Sequence, residues 1–264
     1  MGSENCARQE KRLVIEVKNL KKVYHSRGSS VHAVEDVSFD VYDGEFVTIV
    51  GHSGCGKTTI LKILSGLLPK TSGTASINGK PVTGPHANIG IVFQTPILLR
   101  WRSVLENVML PIEIMQLKKE DYYGRALDLL KLTGLIEFKN RYPKELSGGM
   151  QQRVSISRAL IHDPPLLFLD EPFGALDVMT RNEMNIELER IWREKKKTSL
   201  LITHSIPEAV FLSDRIIVMT PRPGRVADII DVDLPRPRNA ELRISEKFFE
   251  LVRVVAQKIG LEFT

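Results

Sequence analysis

Three short segments of this 264-residue chain carry residue types that act on phosphate once they meet in space. The first is Gly51-His52-Ser53-Gly54-Cys55-Gly56-Lys57-Thr58-Thr59. Its glycines let the backbone curl so that successive N–H groups point into one concavity. It follows residues 45–50, a short β-branched run that predicts a buried strand. It opens residues 57–64, where Ile60, Leu61, Ile63 and Leu64 predict a helix. The concavity therefore sits at a helix N-terminus, whose dipole favours anions. Lys57 has the reach for the β- and γ-phosphates of a nucleotide, and the Thr58 hydroxyl is placed for Mg2+.

The second segment is residues 166–169, an apolar strand that ends in Asp170-Glu171. Two carboxylates at a strand end stand at the lip of a parallel sheet, where ligands of such folds bind. Asp170 suits Mg2+, held through water, and Glu171 suits a general base that polarises an attacking water. The third segment, residues 199–203, reads as a strand that delivers His204. A lone histidine after a strand is commonly a solvated or structural residue; in this order of motifs, a neutral imidazole could instead bond a γ-phosphate and hold Glu171 and the water in line. His25, His32, His52, His86 and His162 have no comparable company and receive no role.

Between the first two segments lies Leu146-Ser147-Gly148-Gly149-Met150-Gln151-Gln152-Arg153. Ser147 offers a hydroxyl, and Gly148 and Gly149 offer bare backbone N–H groups, at the start of a helix predicted over residues 150–161. That is a second anion site; the blander alternative is a serine-capped helix. One chain has one γ-phosphate, which the first site already holds.

With these motifs in this order, residues 13–234 resemble the nucleotide-binding subunits of ATP-binding-cassette (ABC) transporters. The resemblance implies an α/β fold: a P-loop NTPase core with a mostly parallel sheet, an antiparallel β-subdomain and an inserted helical subdomain. It implies the cofactors ATP and Mg2+. Tyr24 is similar to the aromatic residue that stacks on adenine, and Gly51, Ser53, Gly54, Cys55, Gly56, Lys57, Thr58 and Thr59 to the Walker A loop. Gln94 resembles the Q-loop glutamine, which touches Mg2+ and senses a membrane partner. Ser147, Gly148, Gly149 and Gln151 resemble the signature sequence, and Asp170 and Glu171 the Walker B aspartate and catalytic glutamate. Gly174-Ala175-Leu176-Asp177 resembles the D-loop and His204 the switch histidine. The implied catalytic set is Glu171, His204, Lys57 and Gln94, with Thr58, Gln94 and Asp170 at the metal. The signature of one copy would serve the ATP of a second, giving a head-to-tail homodimer around two nucleotides.

The chain divides into an arm at residues 1–12, an ATPase domain at residues 13–240 and a helical tail at residues 241–264. Helical spacing over residues 104–117 and 122–132 places a helical lobe at about residues 95–163, with a kink or reset expected at Pro111. The tail carries Phe248, Leu251, Val252, Val255 and Ile259 at helical spacing, which predicts a cap on the core.

Hydrophobic residues make up 42% and charged residues 26%, and no apolar run approaches the roughly 20 residues of a membrane span. The arm lacks the apolar centre of a secretory signal. Two cysteines, Cys6 and Cys55, do not make a disulfide framework and suit a reducing cytoplasm. Cys55 reads as a small residue tolerated in the loop, with blockage by alkylation as the sharper alternative. A net charge of +5 is modest for this length, and Arg193-Glu194-Lys195-Lys196-Lys197 suits a helix C-terminus and solvent rather than nucleic acid.

Pro96-Ile97-Leu98-Leu99-Arg100-Trp101 puts bulky apolar groups beside Gln94, either as core or as a groove that receives a helix of a membrane subunit. This segment and Pro221-Arg222-Pro223-Gly224-Arg225-Val226 resemble the nitrate/sulfonate/taurine importer subgroup, although Arg100 stands where that subgroup has proline. The resemblance implies a peripheral subunit on the cytoplasmic face of the cell membrane. It would couple to two permease chains and, through them, to an external substrate-binding protein, for uptake of a sulfonate, nitrate or aromatic carboxylate. The alternatives are a soluble relative acting on nucleic acid or ribosomes, and a plain P-loop kinase or GTPase. The first lacks its long heptads or second cassette here, and the second leaves Ser147, Gly148, Gly149 and His204 without purpose.

Overall fold

The computed structural model describes residues 12–26, 29–174 and 176–260, so Cys6, residues 1–11 of the arm and Ala175 lie outside the described residues. A six-stranded sheet forms the centre. It contains β3 (Phe46–Val50), β6 (Ile89–Val92), β7 (Leu166–Asp170), β8 (Thr198–Thr203), β9 (Arg215–Met219) and β10 (Val226–Asp231), in the order β10-β9-β3-β8-β7-β6. All its pairings are parallel except β10 on β9. The run of β-branched and leucine residues in β3, β7 and β8 is explained by their burial on both faces. Alternate side chains feed two separate cores: Phe46 and Val50 point to one, Val47 and Ile49 to the other.

A smaller antiparallel sheet holds β1 (Leu13–Ser26), β2 (Ser29–Tyr42), β4 (Ser72–Ile77) and β5 (Lys80–Pro81), in the order β2-β1-β4-β5. Helix α1 (Lys57–Leu64) buries Ile60, Leu61, Ile63 and Leu64, the four positions its periodicity singles out. The expected helical lobe is present as α2 (Val104–Ile114), α3 (Lys119–Leu132) and α4 (Gly148–Leu160). Ser103 and Glu106 form a reciprocal capping box that starts α2. The reset expected at Pro111 does not occur: α2 runs through it to Ile114. A proline this close to the C-terminal end forfeits one intrahelical bond, which burial of Val108, Met109 and Ile112 offsets.

The remaining helices are α5 (Val178–Lys195), α6 (Ile206–Leu212) and α7 (Glu246–Ile259). As its spacing predicts, α7 lays Phe248 and Val255 onto the core, joined by Ala256. Between α6 and α7, Arg238 is only 2% exposed and acts as a cap that no local sequence signal announces. Its Nη1 donates to the carbonyls of Val210, Phe211 and Ser213 at 3.3, 2.9 and 2.8 Å, closing the end of α6. Burial, then the neighbouring Arg236, lowers its pKa to about 10. Arg238→Ala orphans these carbonyls and leaves a void, so denaturant melts should show a loss of about 3 kcal/mol.

Candidate nucleotide site

The curl after β3 closes against the small sheet. Gly56, the residue before α1, has φ 101°. A Cβ there would stand 2.6 Å from the Ala33 carbonyl and 2.7 Å from Val34, so β2 approaches too closely for any side chain. Inside the curl, Lys57 Nζ donates to the Gly51 and His52 carbonyls at 2.7 and 3.0 Å. Cys55 is 1% exposed, its sulfur 3.8 Å from that ammonium. It packs with the second core, which supports the small-residue reading and closes the thiol to alkylating reagents.

Thr58 and Asp170 meet across the sheet, Thr58 Oγ1 donating to Asp170 Oδ1 at 3.0 Å. Burial raises the Asp170 pKa, opposed by the Thr58 hydrogen bond. These are hard oxygen donors, as Mg2+ requires. Among the described residues no three His, Cys, Asp or Glu gather as a metal cage. The donor set fits an ion that completes its sphere with phosphate and water.

Glu171 turns sharply out of β7 with φ 45°, a region that non-glycine residues seldom adopt. Its Oε2 receives Gln94 Nε2 at 3.1 Å and lies 3.2 Å from His204 Nδ1. Gln94 and His204, far apart in the chain, thus meet on one carboxylate oxygen of Glu171. As a neutral ring, His204 has one N–H to give. A neutral ring that donates to Glu171 through Nδ1 presents Nε2 as an acceptor. It donates to a phosphate as well only when both nitrogens carry protons.

These groups open on a cleft of about 290 Å³ that includes Tyr24, Ser53, Gly54, Gly56, Lys57, Thr58, Thr59, Gln94 and Glu171. Tyr24 is 41% exposed on β1, its hydroxyl 3.3 Å from Thr59 Oγ1. Val31, Ala33 and Arg222 line the same cleft and were not singled out as site residues from the sequence. A larger hollow of about 480 Å³ opens beside Arg125, Arg190 and Lys197. Its cations are already matched by carboxylates: Arg190 by Glu187 and Glu194, Arg125 and Lys197 by Asp163. It lacks a phosphate-binding curl.

The serine-glycine turn stands elsewhere. Ser147 caps α4 by accepting from Met150 N at 3.3 Å, so α4 starts at Gly148 rather than Met150. Ser147 and Gly148 are exposed, and a Cβ on Gly148 would meet open space. Gly149 has a second reason to be glycine, since a Cβ there would lie 2.8 Å from Leu176. None of these lines the cleft. Gln151 and Asp177, expected at the nucleotide, are engaged locally instead. Gln151 Nε2 donates to the Pro143 and Leu146 carbonyls at 3.0 and 3.3 Å, and Asp177 caps α5 by accepting from Thr180 N at 3.0 Å.

Two braces tie α4 to the segment after β6. Gln152 Nε2 donates to the Phe93 carbonyl at 3.0 Å, and Arg158 Nη1 to the Ile97 carbonyl at 2.5 Å. The fully buried Asn107 shapes the next turn, exchanging hydrogen bonds with Leu99 and reaching the Arg102 and Ser103 carbonyls. Ile97, Trp101 and Ile114 are left 58%, 74% and 71% exposed, while Leu98 packs against the core, so the segment is part core and part surface. Beside them Phe93, Leu110, Ile114, Met115, Arg158 and His162 line a groove of about 340 Å³.

Behind His204, Glu208 on α6 is 3% exposed. Burial, opposed by Thr203, Arg181, His204 and Arg243, pushes its pKa up to about 7. Asn185, oriented by its partners, donates to Glu208 Oε1 at 3.3 Å and accepts from Arg243 at 3.2 Å. The folded state keeps this proton above the ordinary carboxyl value of 4.5. Its contribution to stability is therefore full below that pH and is lost as pH rises towards 7. Glu208→Gln, which mimics the protonated form, should gain on the wild type between pH 5 and 8, by on the order of 3 kcal/mol. Urea melts across that range check the sign: a wild type that gains on the variant as pH rises contradicts it.

A family model described as "ABC transporter" matches residues 34–174. An uncharacterised ABC transporter ATP-binding protein of Methanocaldococcus jannaschii is 45% identical over 243 residues, 92% of this chain and 90% of that protein. The taurine import ATP-binding protein TauB of Rhizobium johnstonii is 46% identical over 85% of this chain and 87% of its own length. The aliphatic sulfonates import ATP-binding protein SsuB of Bacillus cereus is 39% identical over 93% and 96%. Among solved structures, the dimeric structure of MJ0796, a bacterial ABC transporter cassette, superposes with a TM-score of 0.76 at 34% identity. It covers 84% of this chain and 100% of that one. A second dimeric structure of MJ0796, in a post-hydrolysis state bound to ADP and phosphate, matches equally well. Identities of this size over most of the chain turn a resemblance of motifs into membership: the chain belongs to the ABC transporter family and is an ATP-binding ATPase.

Proposed function

We propose that this chain is the ATP-hydrolysing subunit of an importer, working as a head-to-tail homodimer that clamps two ATP molecules. The observation that carries the reading is a separation: Lys57, Gln94 and Glu171 share one cleft with His204 at its edge, while exposed Ser147 and Gly148 lie outside it. A capped helix N-terminus with open space before Gly148 is an anion site with no phosphate of its own chain to serve. A second copy supplies one.

In the closed pair, Tyr24 stacks on adenine, and the curl with Lys57 holds the β- and γ-phosphates. Thr58 and Asp170, with Gln94 beside them, would hold Mg2+, which neutralises phosphate charge when bound. Glu171 takes a proton from water as the water oxygen bonds to the γ-phosphorus and the bond to the β-phosphate oxygen breaks. Gln94 and His204, both on Glu171 Oε2, fix the carboxylate for that transfer. The apolar groove beside Ile114 on each copy receives a short helix from one of two permease chains, at the cytoplasmic face of a membrane. No helix among the described residues is long and apolar enough to span one. Names of relatives at 38–47% identity point to a sulfonate-type anion as the cargo, selected by the permease and an external binding protein.

The test is the mass of Glu171→Gln by light scattering. ATP should double it from 29.8 kDa, and adding Ser147→Arg should return it to the monomer. An ATP-saturated monomer, or a dimer indifferent to Ser147→Arg, would overturn the head-to-tail reading. Capture of two membrane chains by the intact protein from native membranes tests the importer.

A further inference from the structure

The β9–β10 connection reaches back over the curl, and one arginine in it has no partner of opposite charge among the described residues. Gly224 N donates to the Ala33 carbonyl at 3.1 Å and Glu35 N to the Gly224 carbonyl at 2.9 Å, stitching the loop to β2. Any side chain at Gly224 is excluded, since a Cβ would lie 1.9 Å from the Cys55 carbonyl. The loop is also held from within, with Arg225 N donating to Thr220 Oγ1 at 3.0 Å. A loop fixed this firmly presents its side chains at set positions.

Two arginines three residues apart then part company. Arg225 pairs with Glu35 at 2.7 Å. Arg222 lines the nucleotide cleft instead, its Nε donating to the Gly54 carbonyl at 3.2 Å. Among the described residues no carboxylate pairs with it. One donor of the guanidinium fork is thus used on the apex of the curl, and the terminal nitrogens keep donors for an anion. Lys57 serves the concavity from inside; Arg222 stands over its outer rim. The anionic part of a nucleotide is its phosphate chain.

We propose that Arg222 is a phosphate-contacting residue of this site, a second cation that raises affinity for nucleoside di- and triphosphates. The proposal rests on the ATPase reading and adds a contact to it. Loss of a charge-assisted hydrogen bond to phosphate is worth about a tenfold change in affinity.

The experiment is steady-state hydrolysis of ATP, with calorimetric binding of ADP, for the wild type and Arg222→Ala, Arg222→Gln and Arg222→Lys. Alanine and glutamine should each raise KM for ATP and Kd for ADP about tenfold, with kcat within about twofold. Lysine should recover most of the loss. Glutamine keeps a donor for the Gly54 carbonyl without the charge. A wild-type KM in Arg222→Gln would therefore mean that the side chain only pins the loop, and would overturn the proposal. So would unchanged KM and Kd in Arg222→Ala, or lysine as deficient as alanine. A wild type that hydrolyses ATP in the same assay keeps such a failure distinct from failure of the ATPase reading.

Discussion

Glu171→Gln is expected to slow ATP turnover about a thousandfold while ATP still binds. Glutamine has the same shape, so the sharp backbone turn at φ 45° and the contacts with Gln94 and His204 have a neutral occupant of equal size. What disappears is the basic oxygen that takes the proton from water. Phosphate release measures the fall, and calorimetry measures retained ATP affinity. Turnover within tenfold of the wild type would remove Glu171 from the chemistry and return the base to another group.

Lys57→Ala is expected to weaken ATP and ADP binding about a hundredfold or more, because a buried, charge-assisted contact is truncated. The ammonium is 6% exposed and points into the curl, where the Gly51 and His52 carbonyls hold it. The same bonds brace the loop, so circular dichroism must show an intact fold before the loss is assigned to phosphate. Affinity within fivefold of the wild type in a folded variant would contradict the site as drawn.

Much of this site was legible because its parts are local. A β-branched run, a glycine curl and an amphipathic turn specify β3, the loop and α1 within twenty residues, and each boundary follows from a rule of short range. Glu171 and His204 were legible for the same reason, as residues that end apolar strands. That His204 would hold Glu171 rested on the order of the motifs rather than on periodicity, and the bond of Gln94 to Glu171 was not foreseen. Arg222 was not legible, since its bond to Gly54 spans 168 positions and nothing in the loop sequence says which surface it will cover. Glu208, Asn107 and Arg238 escaped likewise: a polar residue's burial is decided by what packs over it, not by its neighbours in sequence. Gln151 and Asp177 are the converse case. Their types suit a ligand, but nearby carbonyls and N–H groups satisfy them first.

The grip of Gln152 on the Phe93 carbonyl has a mechanical consequence. The helix whose first turn carries Ser147 is thereby bolted to the main chain one residue before Gln94. A displacement of the segment after β6 would reach the serine tip through this contact and through the bond of Arg158 to the Ile97 carbonyl. In the proposed pair, a partner docked outside would thereby act on the far copy's phosphates and on the near copy's water together.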